Sequence, residues 1–322
     1  MNKTTWETLT KKYPALFSTI LLAIALLINL TLQPNMFALD TLNSNMRVFL
    51  PMVLLAVGQA FVILGGGIDI SVGGIVSIVN TILAVYVGLN GSIEKMWMFL
   101  GVSILVGILC GAINGFFIAI LHLQPIITTY ATSFLFGGLA LFILPNPGGG
   151  IPQAVAEFYR TTTPLGIPLG FYIIGIIIIV WYYVRSTRYG SYLYAVGGKA
   201  DAAYETAVPV TWIHFSTYVI SGLMAALAGI AITMLSGSGN AEIGSPMTLT
   251  AITAVVIGGT ALSGGVGGIA GPILGALTLG IIQNIISFAH INTWWETFVK
   301  ATIIVVALAA PGLINLFGRR KS

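Results

Sequence analysis

The run Ile63-Leu64-Gly65-Gly66-Gly67-Ile68-Asp69-Ile70-Ser71-Val72-Gly73-Gly74 sets three consecutive glycines and one carboxylate within an apolar stretch. Glycine breaks a helix because it gives up the most conformational freedom on joining one. A broken helix with a polar tip is how membrane-embedded chains line a pathway, since irregular backbone at that depth is tolerated only against protein or a water-filled cavity. Asp69 therefore has two readings. Its carboxylate could cap the next helix, accepting from free backbone N–H groups at the positive end of the helix dipole. Alternatively, it could stand with Ser71 in a translocation path or gate. Asn80 returns to the same helical face at about 3.6 residues per turn and could share that path.

A second junction reads Ile257-Gly258-Gly259-Thr260-Ala261-Leu262-Ser263-Gly264-Gly265-Val266-Gly267-Gly268. Gly65, Gly66, Gly67, Gly258, Gly259, Gly264 and Gly265 are the candidate hinges, with Thr260 and Ser263 as further path or gate residues. The likeness of Val62-Ile63-Leu64-Gly65-Gly66 to Val255-Val256-Ile257-Gly258-Gly259 suggests an internal repeat. Gln59, Asn114, Thr128, Thr129, Thr132, Gln283 and Asn284 add neutral polar groups that suit a hydroxylated solute better than an ion. Their alternative use is interhelical hydrogen bonding, worth on average about 0.6 kcal/mol each.

Other chemistry is scarce. No Asp or Glu falls within a predicted span, and His122, His214 and His290 lie at span ends, so the buried relay of a proton-driven carrier is not supplied. Sodium coupling through backbone and hydroxyl ligands stays open. Gly197-Gly198-Lys199-Ala200 lacks the first glycine and the final hydroxyl of a nucleotide-binding loop. If ATP drives the protein, ATP and Mg must be held by another chain, and no cofactor or metal is expected on this one. The single cysteine, Cys110, excludes an intrachain disulfide and a Cys-based metal cluster.

The elements that position these residues follow from composition. Of 322 residues, 57% are hydrophobic and 7% charged, against about 25% charged in soluble domains, so a water-soluble fold is excluded. The net charge of +4 rests on too few side chains to build a nucleic-acid face. A charge at the bilayer centre costs roughly 2.5 to 3.5 kcal/mol, so charge-free intervals locate the spans. They predict an all-α polytopic membrane protein, a single transmembrane domain over 1–322, with ten helices at 14–32, 48–65, 70–89, 97–121, 125–144, 168–184, 213–235, 248–262, 269–288 and 298–317. One side then carries Lys3, Lys11, Lys12, Arg185, Arg188, Lys199, Arg319, Arg320 and Lys321, and the other Arg47, Lys95, Arg160 and Lys300. The positive-inside rule places both termini in the cytoplasm. Both glycine junctions then lie near the cytoplasmic surface. Small residues recur every four positions at Gly107, Gly111 and Gly115, at Ser221, Ala225 and Gly229, and at Gly267, Gly271 and Gly275. Such seams allow close helix packing, static or sliding.

The longest cytoplasmic stretch runs from about 185 to 212. Its segment Ala200 to Ala207 can form about two helical turns between a Gly-Gly pair and Pro209, with Ala202, Ala203 and Ala207 leaving little side-chain bulk. Such a helix could seat in another protein's groove or simply be solvated.

Three motifs together resemble the permease subunits of bacterial ABC importers for simple sugars. They are Gly66-Gly67-Ile68-Asp69-Ile70-Ser71-Val72-Gly73, then Thr187-Arg188-Tyr189-Gly190 with Tyr194-Ala195-Val196-Gly197-Gly198, then Ala254-Val255-Val256-Ile257-Gly258-Gly259-Thr260 with Ser263-Gly264-Gly265-Val266-Gly267. Pro125-Ile126-Ile127-Thr128-Thr129 matches a shorter family pattern. The resemblance implies a multi-pass protein of the bacterial cytoplasmic membrane, embedded in lipid. It implies pairing with a second copy or a homologous permease, cytoplasmic ABC ATPase subunits, and a periplasmic or lipid-anchored sugar-binding protein. It also implies ATPase coupling through Gly197, Gly198, Lys199, Ala202, Ala203 and Ala207. The chain departs from the family pattern at Tyr130-Ala131, at Ala207, and at Met247–Ile252, where an acidic residue is usual. Branched-chain amino acid importers share the plan and form one alternative. An ion-driven carrier or passive channel without an ATPase forms the other.

Overall fold

The computed structural model describes residues 15–292 and, beyond them, Trp295, Phe298, Ala301, Thr302 and Val305. The described residues form helices and connecting turns, with one isolated bridge between Gly148 and Gly239. The helices are α1 (Leu16–Leu32), α2 (Leu39–Leu64), α3 (Val72–Ile82), α4 (Ile93–Gly115), α5 (Pro125–Ile143), α6 (Gln153–Thr161), α7 (Leu169–Ser186), α8 (Arg188–Gly198), α9 (Ala200–Glu205), α10 (Val210–Ser236), α11 (Met247–Ile257) and α12 (Ala270–Phe288). Wider π-helical turns extend α3 through Leu83–Val87 and α4 through Phe116–Ile120.

Six of these helices are long and apolar enough to cross a membrane: α2, α4 with its π turn, α5, α7, α10 and α12. Helices α1, α3 and α11 are apolar but shorter. The chain is therefore a multi-pass membrane protein. Local signals mark several ends. Ser92 caps α4 by accepting from Lys95 N at 3.2 Å, Pro125 opens α5, and α10 stops at Gly237 with φ of 73°.

Two expectations change. Helix α2 begins at Leu39, ahead of the expected 48, because Asp40 and Arg47 mark a membrane boundary but do not end a helix. The expected span 248–262 is an eleven-residue helix, α11, of about 16 Å, half of a hydrocarbon core of about 30 Å. The non-helical segment 237–246 precedes it. The expected span 298–317, the charged tail after it and Lys3 to Lys12 fall largely or wholly outside the described residues.

Helix α10 is the central mast. Its small residues admit close neighbours on several sides: a Cβ on Gly107 or Gly111 of α4 would strike the α10 carbonyl of Gly222 or Tyr218, and one on Gly229 would meet Val79 of α3 at 2.8 Å. The third seam packs α12 on α11, with Gly271 against Gly258 and Gly275 against Ala254. All three small-residue stripes thus serve close packing.

Candidate functional site

Helix α2 and the mast α10 are broken in matching fashion. Helix α2 ends at Leu64, a non-helical segment 65–71 follows, and α3 restarts at Val72; α10 ends at Ser236, 237–246 follows, and α11 restarts at Met247. Gly65 meets Thr217 whereas Gly58 meets Ser221 and Met224, so α2 and α10 run antiparallel. The two breaks are therefore inverted relative to each other. They converge where the short helices begin: Gly73 N donates to Thr248 Oγ1 at 3.1 Å, Thr248 Oγ1 to Ile70 O at 3.4 Å, and Gly73 abuts Gly244 so closely that a Cβ would strike its carbonyl. This arrangement pairs α2–α3 with α10–α11. The likeness noted between 62–66 and 255–259 does not follow this pairing: Leu64 O accepts from Gly265 N at 3.1 Å, whereas Gly258 packs on Gly271.

Backbone inside a membrane must satisfy its hydrogen bonds within the protein, and side chains do so here. In the first break, with its amide oriented to suit both partners, Gln59 donates to Asp69 O at 3.0 Å and accepts from Asp69 N at 3.2 Å. Thr129 Oγ1 donates to Ile68 O at 3.3 Å. In the second break, Asn240 N donates to Asn80 Oδ1 at 2.7 Å, Asn80 Nδ2 donates to Ser238 O at 3.1 Å, and Gly244 N donates to Ser77 Oγ at 3.2 Å. Polar groups on α3 thus hold the break that leads to α11, and Thr248 on α11 holds the one that leads to α3.

Asp69 is fully buried rather than near a surface. Ser221, its partner on the mast, lies eleven rises from the start of α10, about 16 Å along a helix of about 40 Å. The carboxylate accepts from Ser71 N at 2.9 Å, Ser71 Oγ at 2.7 Å and Ser221 Oγ at 2.7 Å. Asn114 Nδ2 donates to Ser71 Oγ at 2.7 Å, and Thr132 Oγ1 to Asn114 Oδ1 at 2.7 Å. Every bond in this chain runs toward Asp69, which joins α4, α5 and α10 to the start of α3. Asn80 is also fully buried and donates to Thr233 Oγ1 at 2.9 Å. Asp69 lies in the non-helical segment ahead of α3, so helical spacing does not relate it to Asn80, yet both meet α10, Asp69 at Ser221 and Asn80 at Thr233. Thr128 bonds back to Gln124 O at 2.9 Å.

An open cleft of about 640 Å³ lies between α3, α5 and the 241–249 segment. Ile70, Gly74 and Ser77 line one side, Tyr130, Ser133 and Phe134 another, and Glu242, Ser245 and Thr248 a third. Its inner limit is the meeting point of the two short helices. Of the residues singled out from the sequence, Asp69, Ser71 and Asn80 lie behind this wall rather than in it. Sequence reasoning missed Ser77, Glu242, Ser245 and Thr248. Their signal was the Gly237-Ser238-Gly239-Asn240 and Gly244-Ser245-Pro246 punctuation, which marks irregular backbone.

At the C-terminal end of α2, where the first break begins, three glycine segments interlock. A Cβ on Gly197 would strike Leu64 O, one on Gly264 would lie 2.9 Å from Gly66 Cα, and one on Gly265 would lie 2.6 Å from Gly198 N. Gly66, Gly259, Gly264 and Gly265 have φ between 69° and 85°, where a side chain is strained. Gly258 meets Gly271 rather than this knot. Tyr194 Oη donates to Gly267 O at 2.7 Å, and burial pushes its phenol pKa up, so it stays a donor. Thr260 Oγ1 donates to Gly268 O at 3.2 Å, while Ser263 is exposed. Helix α9 follows directly. Lys199, Ala202 and Ala207 are exposed there, as are Asp201, Tyr204 and Glu205, whereas Ala203 turns inward at 4% exposure. The surface free to meet another protein therefore excludes Ala203.

Residues 41–308 match the sequence model of a family described as "Branched-chain amino acid transport system / permease component". The chain belongs to this family of permeases. The permease is 34% identical to the ribose import permease protein RbsC of Haemophilus influenzae, over 94% of this chain and 92% of that one. It is 31% identical to RbsC of Escherichia coli K12 over 90% and 91%. It is 30% identical to the autoinducer 2 import system permease protein LsrD of Photorhabdus temperata over 91% and 90%. No solved structure matches the permease.

Proposed function

We propose that this chain is the membrane-spanning subunit of an ATP-binding-cassette importer that carries a neutral monosaccharide-type solute across the bacterial cytoplasmic membrane by alternating access. The observation that carries the reading is the cleft of about 640 Å³ bounded by two broken helices, hydroxyl side chains and exposed aromatic rings, in a chain similar to ribose import permeases over nine-tenths of its length. Ten spans with both termini cytoplasmic form the topology of this reading, in one permease domain. A second copy or a homologous permease completes the pathway, and a periplasmic or lipid-anchored binding protein delivers the solute.

ATP and Mg bind the partner ATPases, whose movement reaches this chain through the exposed face of α9 and the end of α8. Because Gly197 and Gly198 lie against Leu64, Gly66, Gly264 and Gly265, displacement of α8 bears on both glycine junctions together. Neutral hydroxyls and apolar walls suit a path that binds weakly and releases readily. The family description names branched-chain amino acids, whereas the aligned relatives name ribose and autoinducer 2; competition of leucine against ribose for uptake separates these solutes. The main test is reconstitution with the ATPase and binding protein. ATP-dependent sugar uptake is expected, and sugar transport by the permease alone would refute the reading.

A further inference from the structure

Glu242 is the one formally charged residue among those lining the cleft. Glu242 is exposed in the cleft wall, and among the described residues its carboxylate has no hydrogen-bond or ion-pair partner. Its backbone, by contrast, is held firmly. Glu242 N donates to Asn240 Oδ1 at 2.9 Å and Ser245 N donates to Glu242 O at 3.1 Å. The turn is pinned to α3 at Asn80 and Ser77, two residues that α3 could otherwise have left apolar. In a chain with only 7% charged residues, a rigid mount presents a free carboxylate to an open cavity.

The other wall has complementary chemistry. Tyr130 and Phe134 are 55% and 64% exposed, with ring centroids 4.9 Å apart and planes at 89°. The exposed rings offer an apolar surface, and Ser133 and Ser245 add hydroxyls at the edges. A carboxylate is an acceptor with two oxygens, so it can take hydrogen bonds from two adjacent hydroxyls at once. The C–H face of the same solute can rest on the aromatic wall.

We propose that Glu242 is the solute-selecting group of this cleft, accepting hydrogen bonds from neighbouring hydroxyls of a neutral polyhydroxylated solute while Tyr130 and Phe134 contact its apolar face. The proposal rests on the transport function given above and adds a discrimination to it. A solute with two adjacent hydroxyls is favoured over its deoxy analogue, and anionic solutes are disfavoured by the fixed negative charge.

The test uses the full permease, reconstituted with its ATPase and binding protein, and measures D-ribose uptake against 2-deoxy-D-ribose with the binding protein unchanged. Glu242→Gln keeps the shape and loses the charge. It is expected to raise the apparent KM for ribose at least about tenfold, the size expected for a hydrogen bond to a charged group, and to narrow the preference over the deoxy sugar. Glu94→Gln, an exposed carboxylate at the start of α4 outside the cleft, is the control and should match wild type. Wild-type KM and selectivity in Glu242→Gln would overturn the proposal while leaving the transport function intact. Absence of ribose or any other monosaccharide uptake by the wild-type complex would instead overturn the transport function itself.

A second measurement does not depend on turnover. Cys110 is buried, so Glu242→Cys places one accessible thiol in the chain. Slower modification by a charged, membrane-impermeant thiol reagent in the presence of ribose supports the proposal. Modification that ribose does not alter overturns it.

Discussion

Replacing Asp69 separates the role of its hydrogen bonds from that of its charge. In Asp69→Asn, one oxygen can keep both Ser71 bonds, now at 2.9 and 2.7 Å, and the new amide can donate to Ser221 Oγ, whose hydroxyl turns to accept. Three contacts persist, so the expected loss of stability is about 1 kcal/mol. Asp69→Ala removes all three. Ser221 can rebond to a carbonyl one turn back in α10, and Ser71 Oγ still accepts from Asn114, but Ser71 N is left buried without an acceptor. Hydrogen bonds to a charged group contribute about 1.5 to 3 kcal/mol each, and release from the desolvation of a buried carboxylate offsets part of their loss. A net destabilisation of about 2 to 4 kcal/mol follows. The assay is the thermal midpoint of the purified complex in detergent, paired with sugar uptake in vesicles. Asp69→Asn should assemble and retain at least half of the uptake, and Asp69→Ala should lose assembly or stability. An Asp69→Asn protein that is as stable as wild type yet transports nothing would refute this reasoning and place the charge itself in the transport step.

Other positions offer sharper tests of packing. Ala207 holds φ of 60°, a left-handed conformation that disfavours a side chain by about 1 to 2 kcal/mol, so Ala207→Gly should stabilise the permease by up to about 1 kcal/mol in the same thermal assay. A Cβ on Gly271 would strike Gly258 O, so Gly271→Ala should force α12 from α11 and destabilise by about 1 to 3 kcal/mol; an unchanged thermal midpoint would contradict the close crossing. Gly197→Ala should behave likewise through Leu64 O, whereas Gly198→Ala, which meets nothing within 4 Å, should leave the midpoint within about 0.5 kcal/mol of wild type.

The helices were legible where a long apolar run lies between charges, because burying the chain in a membrane demands that pattern. Helices α5, α7 and α12 follow it to within about two residues at each end, and α10 to within about three. The pattern fails at the expected span 248–262, since a charge gap does not distinguish a helix that crosses the membrane from one of half that length, α11, flanked by irregular backbone. Asp69 was recognised as the lone acid beside three glycines, but its burial depends on Ser221, Asn114 and Thr132, which are 152, 45 and 63 positions away in sequence. No local spacing encodes those meetings. Ala203 shows the same limit at smaller scale: its type suggested a docking surface, and only the packing of α9 on its neighbours turns it inward.

The interlocked breaks also restrict how the molecule can move. If α3 slid along α11 by one residue, Gly73 N and Ile70 O would both lose Thr248, and a slide along α10 would strip Asn80 from Thr233 and Asp69 from Ser221. Each orphaned buried group costs about 1 to 3 kcal/mol, so independent sliding of the short helices is strongly opposed. Rotation of α3, α11, their two connecting segments and α10 together as one body breaks none of these bonds. The cleft wall formed by Ser77, Glu242 and Thr248 belongs to that body, while Tyr130 and Phe134 belong to α5. The least costly way to open or close the cleft is therefore movement of α5 against this body, with the bonds of Thr129 to Ile68 O and of Thr132 to Asn114 as the polar contacts at the pivot.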